Sequence, residues 1–318
     1  MKFRSVLLSA SIVAGILAAA CDTEPAPEAT ATFALTFVPM AGSQPIGCTT
    51  AVSGLGVDGG YTVGLSDLRF YVSNLHFFDS AGTEVSHTLD SNEFQYSDST
   101  GAVSLVDLTG NTEGSCAATA IAYSEGTART HPAVTGSTQL GRVASVSFDV
   151  GVPQLLMKSV IANNTPEGAP SPLAEMYWSW ATGYRHWVMN FTVLDSTGAP
   201  GDGYMHIGSR NCGPTGGNAL SDRNSCEFVN TPSVRLSGFD LKKDKVKVDV
   251  KTALAGLDFQ APIYDPNTFE VIGQGPGVEC HSSPMQPHCP IIFPHFGLDI
   301  TTGIATAASD AVFSVLTP

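Results

Sequence analysis

Residues 245–251 read KVKVDVK, with Val246, Val248 and Val250 alternating against Lys245, Lys247, Asp249 and Lys251. Successive residues of a strand point to opposite faces, so this is a β-strand with one apolar face toward a core and one charged face toward water. The same period of two recurs along the chain. ATFALTF (31–37) puts Phe33, Leu35 and Phe37 on one side. LSDLRFYVSNLHFF (65–78) sets Leu68, Phe70 and Val72 against Arg69, Tyr71 and Ser73. VASVSFDVGV (143–152) aligns Val146, Phe148 and Val150, and WVMNFTVLD (187–195), VRLSGF (234–239) and AVFSVL (311–316) continue the pattern.

Stretches rich in Gly, Ser, Thr and Asn separate these runs, notably 80–104, 109–140 and 210–232. No sustained 3.6-residue amphipathic period stands out. Strands without intervening helices imply an all-β, antiparallel β-sandwich, not a βαβ sheet. There is no internal repeat and no linker marking off a second core, so one domain over 33–318 is expected.

Charged residues make up only 14% of the 318-residue chain, below the usual quarter, and the formal net charge is −14. That balance excludes nucleic acid as a partner, since phosphate binding needs basic patches. It also excludes electrostatic adsorption to anionic lipid.

The N-terminus opens with the basic MKFR, an apolar run SVLLSASIVAGILAAA (5–20), and then CDTEPAPEATAT (21–32). This is a signal peptide over 1–20, because a short basic start precedes a short apolar run ending in small residues. The run is too short for a comfortable membrane span. Small residues ending at Cys21 resemble the bacterial lipoprotein cleavage box, although Leu17 lies four residues before the cysteine instead of the usual three. Lipidation of Cys21 would leave 21–32 as a flexible tether and the lipid as the sole membrane attachment. Ordinary cleavage near Ala20 is the alternative. Either way the expected location is the bacterial cell envelope, on a periplasm-facing or outer surface.

Without Cys21, six cysteines remain: Cys48, Cys116, Cys212, Cys226, Cys280 and Cys289. An even number in an exported chain favours disulfides that staple the long loops, and sequence alone cannot choose the connectivity. Proximity suggests Cys280–Cys289 and Cys212–Cys226, leaving Cys48–Cys116. No CxxC pair supports a zinc site.

No GxSxG elbow, protease-like cysteine or phosphate-binding glycine loop is present. Metal chemistry is better supplied. There are eight histidines. YMHIGSRNC (204–212) places Met205 and His206 near a strand end, and CHSSPMQPHC (280–289) packs His281, Met285 and His288 between two cysteines. EMYWSWATGYRHWVMNF (175–191) holds all three tryptophans with Met176, His186 and Met189. Imidazole and thioether together fit copper, above all Cu(I), since soft ligands select soft ions. Each group also has a plain structural reading. His206 suits a hydrogen-bonded strand residue, His281 and His288 a disulfide-closed turn, the methionines core gaps, and Trp178 and Trp180 one face of a strand.

Taken together, LSDLRFYVSNLHFF, VSFDVGVP, APSPLAEMYWSWATGYR, YMHIGSRNC, CHSSPMQPHC and the later FGLDI resemble, in content and order, the MbnP-like copper-binding family, the four-cysteine half of a metallo-protein pair. The combination of MxWxWxxGY with HxGSxxC carries most of the resemblance, which spans about residues 33–300. It implies an exported β-sandwich that binds copper and is not itself an enzyme. It also implies a partner, an MbnH-like di-haem protein related to cytochrome c peroxidase, that converts a tryptophan to kynurenine beside the metal. By match, Trp178 and Trp180 are the modification candidates and His206 is a ligand. Family members commonly carry an Asn-His pair shortly after GVP, and here Met157 and Lys158 stand there. Met157 as a soft ligand, a nearby histidine such as His186 or His131, or loss of tight copper binding would each account for the change. The metal candidates are therefore His206, Met157, Met176 and His186. The expected role is copper homeostasis. The competing expectation is a structural or adhesive surface lipoprotein whose sandwich holds no copper.

Overall fold

The computed structural model describes residues 29–109, 130–179, 183–212, 226–265, 267–306 and 311–318. Cys21, Cys116 and Trp180 lie outside them, so the lipidation site, the third disulfide and one kynurenine candidate do too.

The strands that build the site's frame are β1 (Ala31–Ala41), β2 (Tyr61–Phe78), β3 (His87–Leu89), β4 (Gly101–Asp107), β5 (Ala133–Thr138) and β6 (Ser145–Val150). After helix α1 (Gln154–Asn163) come β7 (Tyr177–Ser179), β8 (Gly183–Leu194), β9 (Pro200–Gly208) and β10 (Ser233–Ser237). The last are β11 (Lys245–Asp249), β12 (Gln260–Tyr264), β13 (Val271–Pro276), β14 (Val278–His281) and β15 (Phe313–Leu316).

The KVKVDVK valines point inward as their alternation requires: Val246, Val248 and Val250 are buried and Lys245 is exposed. The strand ends at Asp249, whose carboxylate accepts from the Lys251 and Thr252 backbone N–H groups. That N-cap turns Val250 into one short helical turn. β11 lies in the smaller sheet, ordered β15-β11-β1-β5-β3. The larger sheet runs β10-β6-β2-β8-β9-β14, with β4 also paired to β2.

The two sheets enclose one core. Phe37 packs edge-on against Phe70 and Phe148, and Trp187 stacks on Phe70 at 5.2 Å. The expected sandwich is there, but its sheets are mixed: β1 pairs with β11 in parallel, and β9 with β14 in parallel. The loop-like stretches 80–104 and 109–140 supply the short strands β3 and β5 and the start of β4. These strands are too short and polar to show an apolar alternation.

The alternation in β2 predicts one wet face, and the structure covers both. Leu68, Phe70 and Val72 face the inter-sheet core, while Arg69 and Tyr71 on the opposite face are also buried. A second core covers that face, built from Tyr71, Leu156, Met157, Val160, Leu173, Met176, Tyr184 and Val188 with Cys212 and Cys226. Helix α1 contributes three of these side chains while Leu155 is exposed. An apolar residue outside the buried stripe blurs the helical period, which is why the helix does not stand out in the sequence.

Candidate metal centre

Backbone register sets the site. Across the larger sheet, Asp107, Arg69, Val188, His206 and His281 lie side by side on five adjacent strands: β4, β2, β8, β9 and β14. Val188 belongs to the second core, so this row lies on the covered outer face of the sheet. One end of the row is a buried ion network and the other is a pair of imidazoles.

His206 is 4% exposed, and its Nε2 lies 2.7 Å from Asn190 Oδ1. A carbonyl oxygen can only accept, so Nε2 carries the proton and Nδ1 presents its lone pair to a second partner. That partner is His281, whose Nδ1 stands 2.9 Å from His206 Nδ1. One proton is shared between two inward-facing nitrogens. Burial first, then His281, Arg185 and Arg69, holds the His206 imidazole well below the ordinary histidine range. Burial also lowers His281, with Glu279 pulling the other way. Both rings are neutral at neutral pH, the state a metal ligand needs.

Trp178 completes the cluster. Its ring centroid is 6.1 Å from that of His206, and its Nε1–H donates to the Ser209 carbonyl at 2.9 Å. The Arg185 guanidinium lies over the indole at 5.9 Å. A cation over the face stabilises the ring, and the same charge opposes removal of an electron from it.

The two sequence motifs interlock here. In YMHIGSRNC, His206 enters the pair, Ser209 holds Trp178, and Cys212 bonds to Cys226. A Cβ on Gly208 would sit 2.4 Å from the Tyr184 carbonyl and 2.9 Å from Trp178 Nε1. Gly208→Ala is therefore expected to cost about 1–3 kcal/mol through overpacking and to dislodge the indole. Chemical unfolding and tryptophan emission measure the two effects, and an unchanged emission spectrum would refute the second. In the 175–191 segment, Met176 adopts φ 50° and its carbonyl accepts from Arg185 N–H at 2.6 Å. Gly183, at φ 100°, leaves room for Ser209 Oγ and Cys212 Sγ where a side chain would be.

The other metal candidates have packing roles. Met157 points from α1 into the second core, with Sδ 3.7 Å from Ser209 Oγ. Met176 is buried in the same core. His186 is fully buried, its Nδ1 lies 3.1 Å from the Asn230 carbonyl, and its ring fills the space above Gly151. His131 stacks on Phe94 at 4.1 Å. Within CHSSPMQPHC only His281 reaches the pair: His288 Nδ1 accepts the Glu279 N–H, and Met285 is exposed. The Cys280–Cys289 disulfide closes this loop beside His281, as proximity in sequence suggests, and Cys212–Cys226 forms likewise.

Burial lowers His186 to about 4, because its Nε2 is buried without a hydrogen-bond partner and could not support a charge. In the unfolded chain the group titrates near the ordinary histidine value. Stability is thus complete above that value and is lost as pH falls from about 6.5 toward 4, by roughly 3 kcal/mol from this residue. Urea unfolding at neutral pH and at pH near 4 checks this. His186→Met is expected to remove that part of the acid sensitivity, and an unchanged pH slope in the variant would refute the assignment.

Among the described residues no group of three or more His, Cys, Asp or Glu side chains converges as a metal cage. The site is instead a pair of neutral imidazoles walled by an indole. Two metal–imidazole bonds of about 2.0 Å in line would span about 4 Å, so an ion held linearly in place of the shared proton would need the 2.9 Å nitrogen pair to part by roughly 1 Å. His281, only partly buried at the sheet edge, is the ring with room to move. The donor set therefore fits an ion content with few nitrogen ligands.

A family model described as MbnP matches residues 30–270. Among solved structures, MbnP from Methylosinus trichosporium is similar over 91% of this chain and 99% of its own, with a TM-score of 0.67 at 23% identity. At that identity the likeness speaks for the fold alone. No curated protein matches significantly.

Proposed function

This chain belongs to the MbnP family, a copper-associated kind of protein, and on that premise we propose that it binds Cu(I) between His206 and His281 in the service of copper homeostasis. The observation that carries the reading is the 2.9 Å approach of the two Nδ1 atoms beside Trp178. His206 is oriented by Asn190, the kind of outer hydrogen bond that fixes a ligating tautomer. His281 supplies the second nitrogen and is the residue that fills the gap left by Met157 and Lys158 after GVP.

Charge favours the monovalent ion. Arg69 and Arg185 both act on His206, and a nearby cation opposes a dication about twice as strongly as a monocation. Two imidazoles are also enough for a soft d10 ion that accepts low coordination. Bound copper supplies a redox-active or transferable cation, and the protein's part is to hold neutral nitrogens in place and exclude water from His206.

Trp178 is the residue we assign as the substrate of a di-haem partner. Oxidative cleavage of the indole C2–C3 bond adds two oxygen atoms from the oxidant that the partner activates. Hydrolysis then releases C2 as formate, leaving a ketone at the former Cγ and an aryl amine at the former Nε1. The amine keeps the Ser209 carbonyl as acceptor, and the ketone arises on the side chain that already adjoins His206. The chain itself performs no catalysis on this reading. It works in the cell envelope, held by a lipid on Cys21.

Mass spectrometry of protein made with and without its partner tests the modification. The expected result is the net exchange of one carbon for one oxygen on the peptide carrying Trp178, and an unmodified Trp178 refutes it. Competition between this protein and a calibrated Cu(I) chelator tests the metal, and failure to withdraw Cu(I) from the chelator refutes copper binding.

A further inference from the structure

The histidine pair is not sealed. A cavity of about 410 Å³ lies between the β12–β13 hairpin and the edge formed by β9 and β14, and His281 lines it. The hairpin forms one wall through Ala261 and Ile263, and Tyr204 and Val278 belong to the other. Tyr204 stacks on His281 at 5.9 Å, so part of the cavity wall is the imidazole that hydrogen-bonds to His206. The hairpin is seated firmly: a Cβ on Gly201 would collide with the Pro276 carbonyl, so β9 and β13 touch at the backbone.

Two carboxylates, Asp202 and Glu279, lie on the same cavity. Glu279 is held in place: Tyr264 Oη–H donates to it at 3.3 Å and Gln286 Nε2–H at 3.0 Å. Gln286 in turn accepts the His281 backbone N–H at 2.6 Å. The acidic wall, the ordered loop and the partly exposed ring are thus one connected unit, whereas His206 behind them is almost fully buried.

We propose that this cavity is the path by which the metal ion reaches and leaves the histidine pair, with Asp202 and Glu279 drawing the cation in and His281 as the first ligand it meets. The proposal rests on the copper reading and adds to it a direction of approach. A cleft lined by one sign of charge raises the local concentration of the opposite ion and its rate of association. His281 can take the ion first because it is the accessible ring, and His206 can then close behind it with its proton on Nε2.

The test is stopped-flow measurement of Cu(I) uptake from a weak chelator and its removal by a strong one, repeated with Ag(I). Ile263→Trp, at an exposed position of the hairpin wall, and Ala261→Trp, at a partly buried one, both narrow the cavity. Narrowing a path raises one barrier for both directions, so uptake and release are expected to slow together several-fold with the affinity unchanged. Asp202→Asn with Glu279→Gln is expected to slow uptake by about tenfold or more at low salt and to flatten its salt dependence. If the wild-type protein binds Cu(I) and both tryptophan variants, folded by circular dichroism, exchange it at wild-type rates, the path is overturned and the copper site stands. If the wild-type protein binds neither ion, the copper reading itself has failed and the path falls with it.

Discussion

Replacing His281 by alanine is expected to weaken Cu(I) binding by more than about 100-fold, since loss of an outer hydrogen-bond partner alone costs 10–100-fold and a ligand is worth more. His281 is the informative position because it is partly exposed at the sheet edge, so its removal leaves both cores intact. His206→Ala would give the same loss but would also orphan the Asn190 side-chain carbonyl in a buried setting. Asn190→Leu separates the two effects. It keeps both imidazoles but frees the His206 tautomer, so an intermediate loss of about 10–100-fold is expected. Chelator competition measures all three, and a His281→Ala protein with wild-type affinity would remove His281 from the site.

The largest effect on stability is expected at the other end of the same row. Arg69 is 1% exposed and grips Asp67 through two bonds, Nε–H to Oδ1 at 2.8 Å and Nη2–H to Oδ2 at 2.6 Å. Nη1 reaches Glu175 at 3.3 Å. Beside it, burial pushes the Asp107 carboxyl up to about 7, against the pull of Thr109 and Arg69. Arg69→Met would leave the Asp67 carboxyl group without its guanidinium partner in a buried face, and breaking a buried pair in this way costs about 3–5 kcal/mol. In a chain of this length that is a fall in Tm of the order of 10 °C. Arg69→Met with Asp67→Leu is expected to recover much of the loss, because the unpartnered carboxyl group is gone. A loss below about 1 kcal/mol in the single variant would show that the network is not a net anchor.

Glu175 links this network to the segment that carries Trp178. The Tyr71 hydroxyl proton is shared between the Pro172 and Glu175 carbonyls at 2.9 and 2.8 Å, so the polar residues of β2 hold the 172–178 stretch against the sheet. Arg69 and Tyr71 thus bear on the histidine pair by holding the segment that places the indole beside it.

The sequence by itself determined the long core strands, because a period of two in Val, Phe and Leu is a local property that needs no partner to be read. It determined the sandwich class for the same reason, and it suggested by proximity, without deciding, the two disulfides that the structure forms. The family resemblance of MxWxWxxGY and HxGSxxC, both short motifs, also marked Met176, Trp178, Trp180, Gly183, Tyr184 and His206. Tertiary structure alone decided which strands pair in parallel, that β2 is buried on both faces, and that α1 covers it. It alone joined His206 to His281, residues 75 apart that meet because β9 and β14 pair in one particular register. A slip of one residue in that register would turn His281 to the opposite face. His281 has a plain reading as a turn residue beside a disulfide, and nothing local in CHSSPMQPHC separates it from His288. The distinction lies in long-range backbone hydrogen bonds, whose partners a single segment of sequence does not contain.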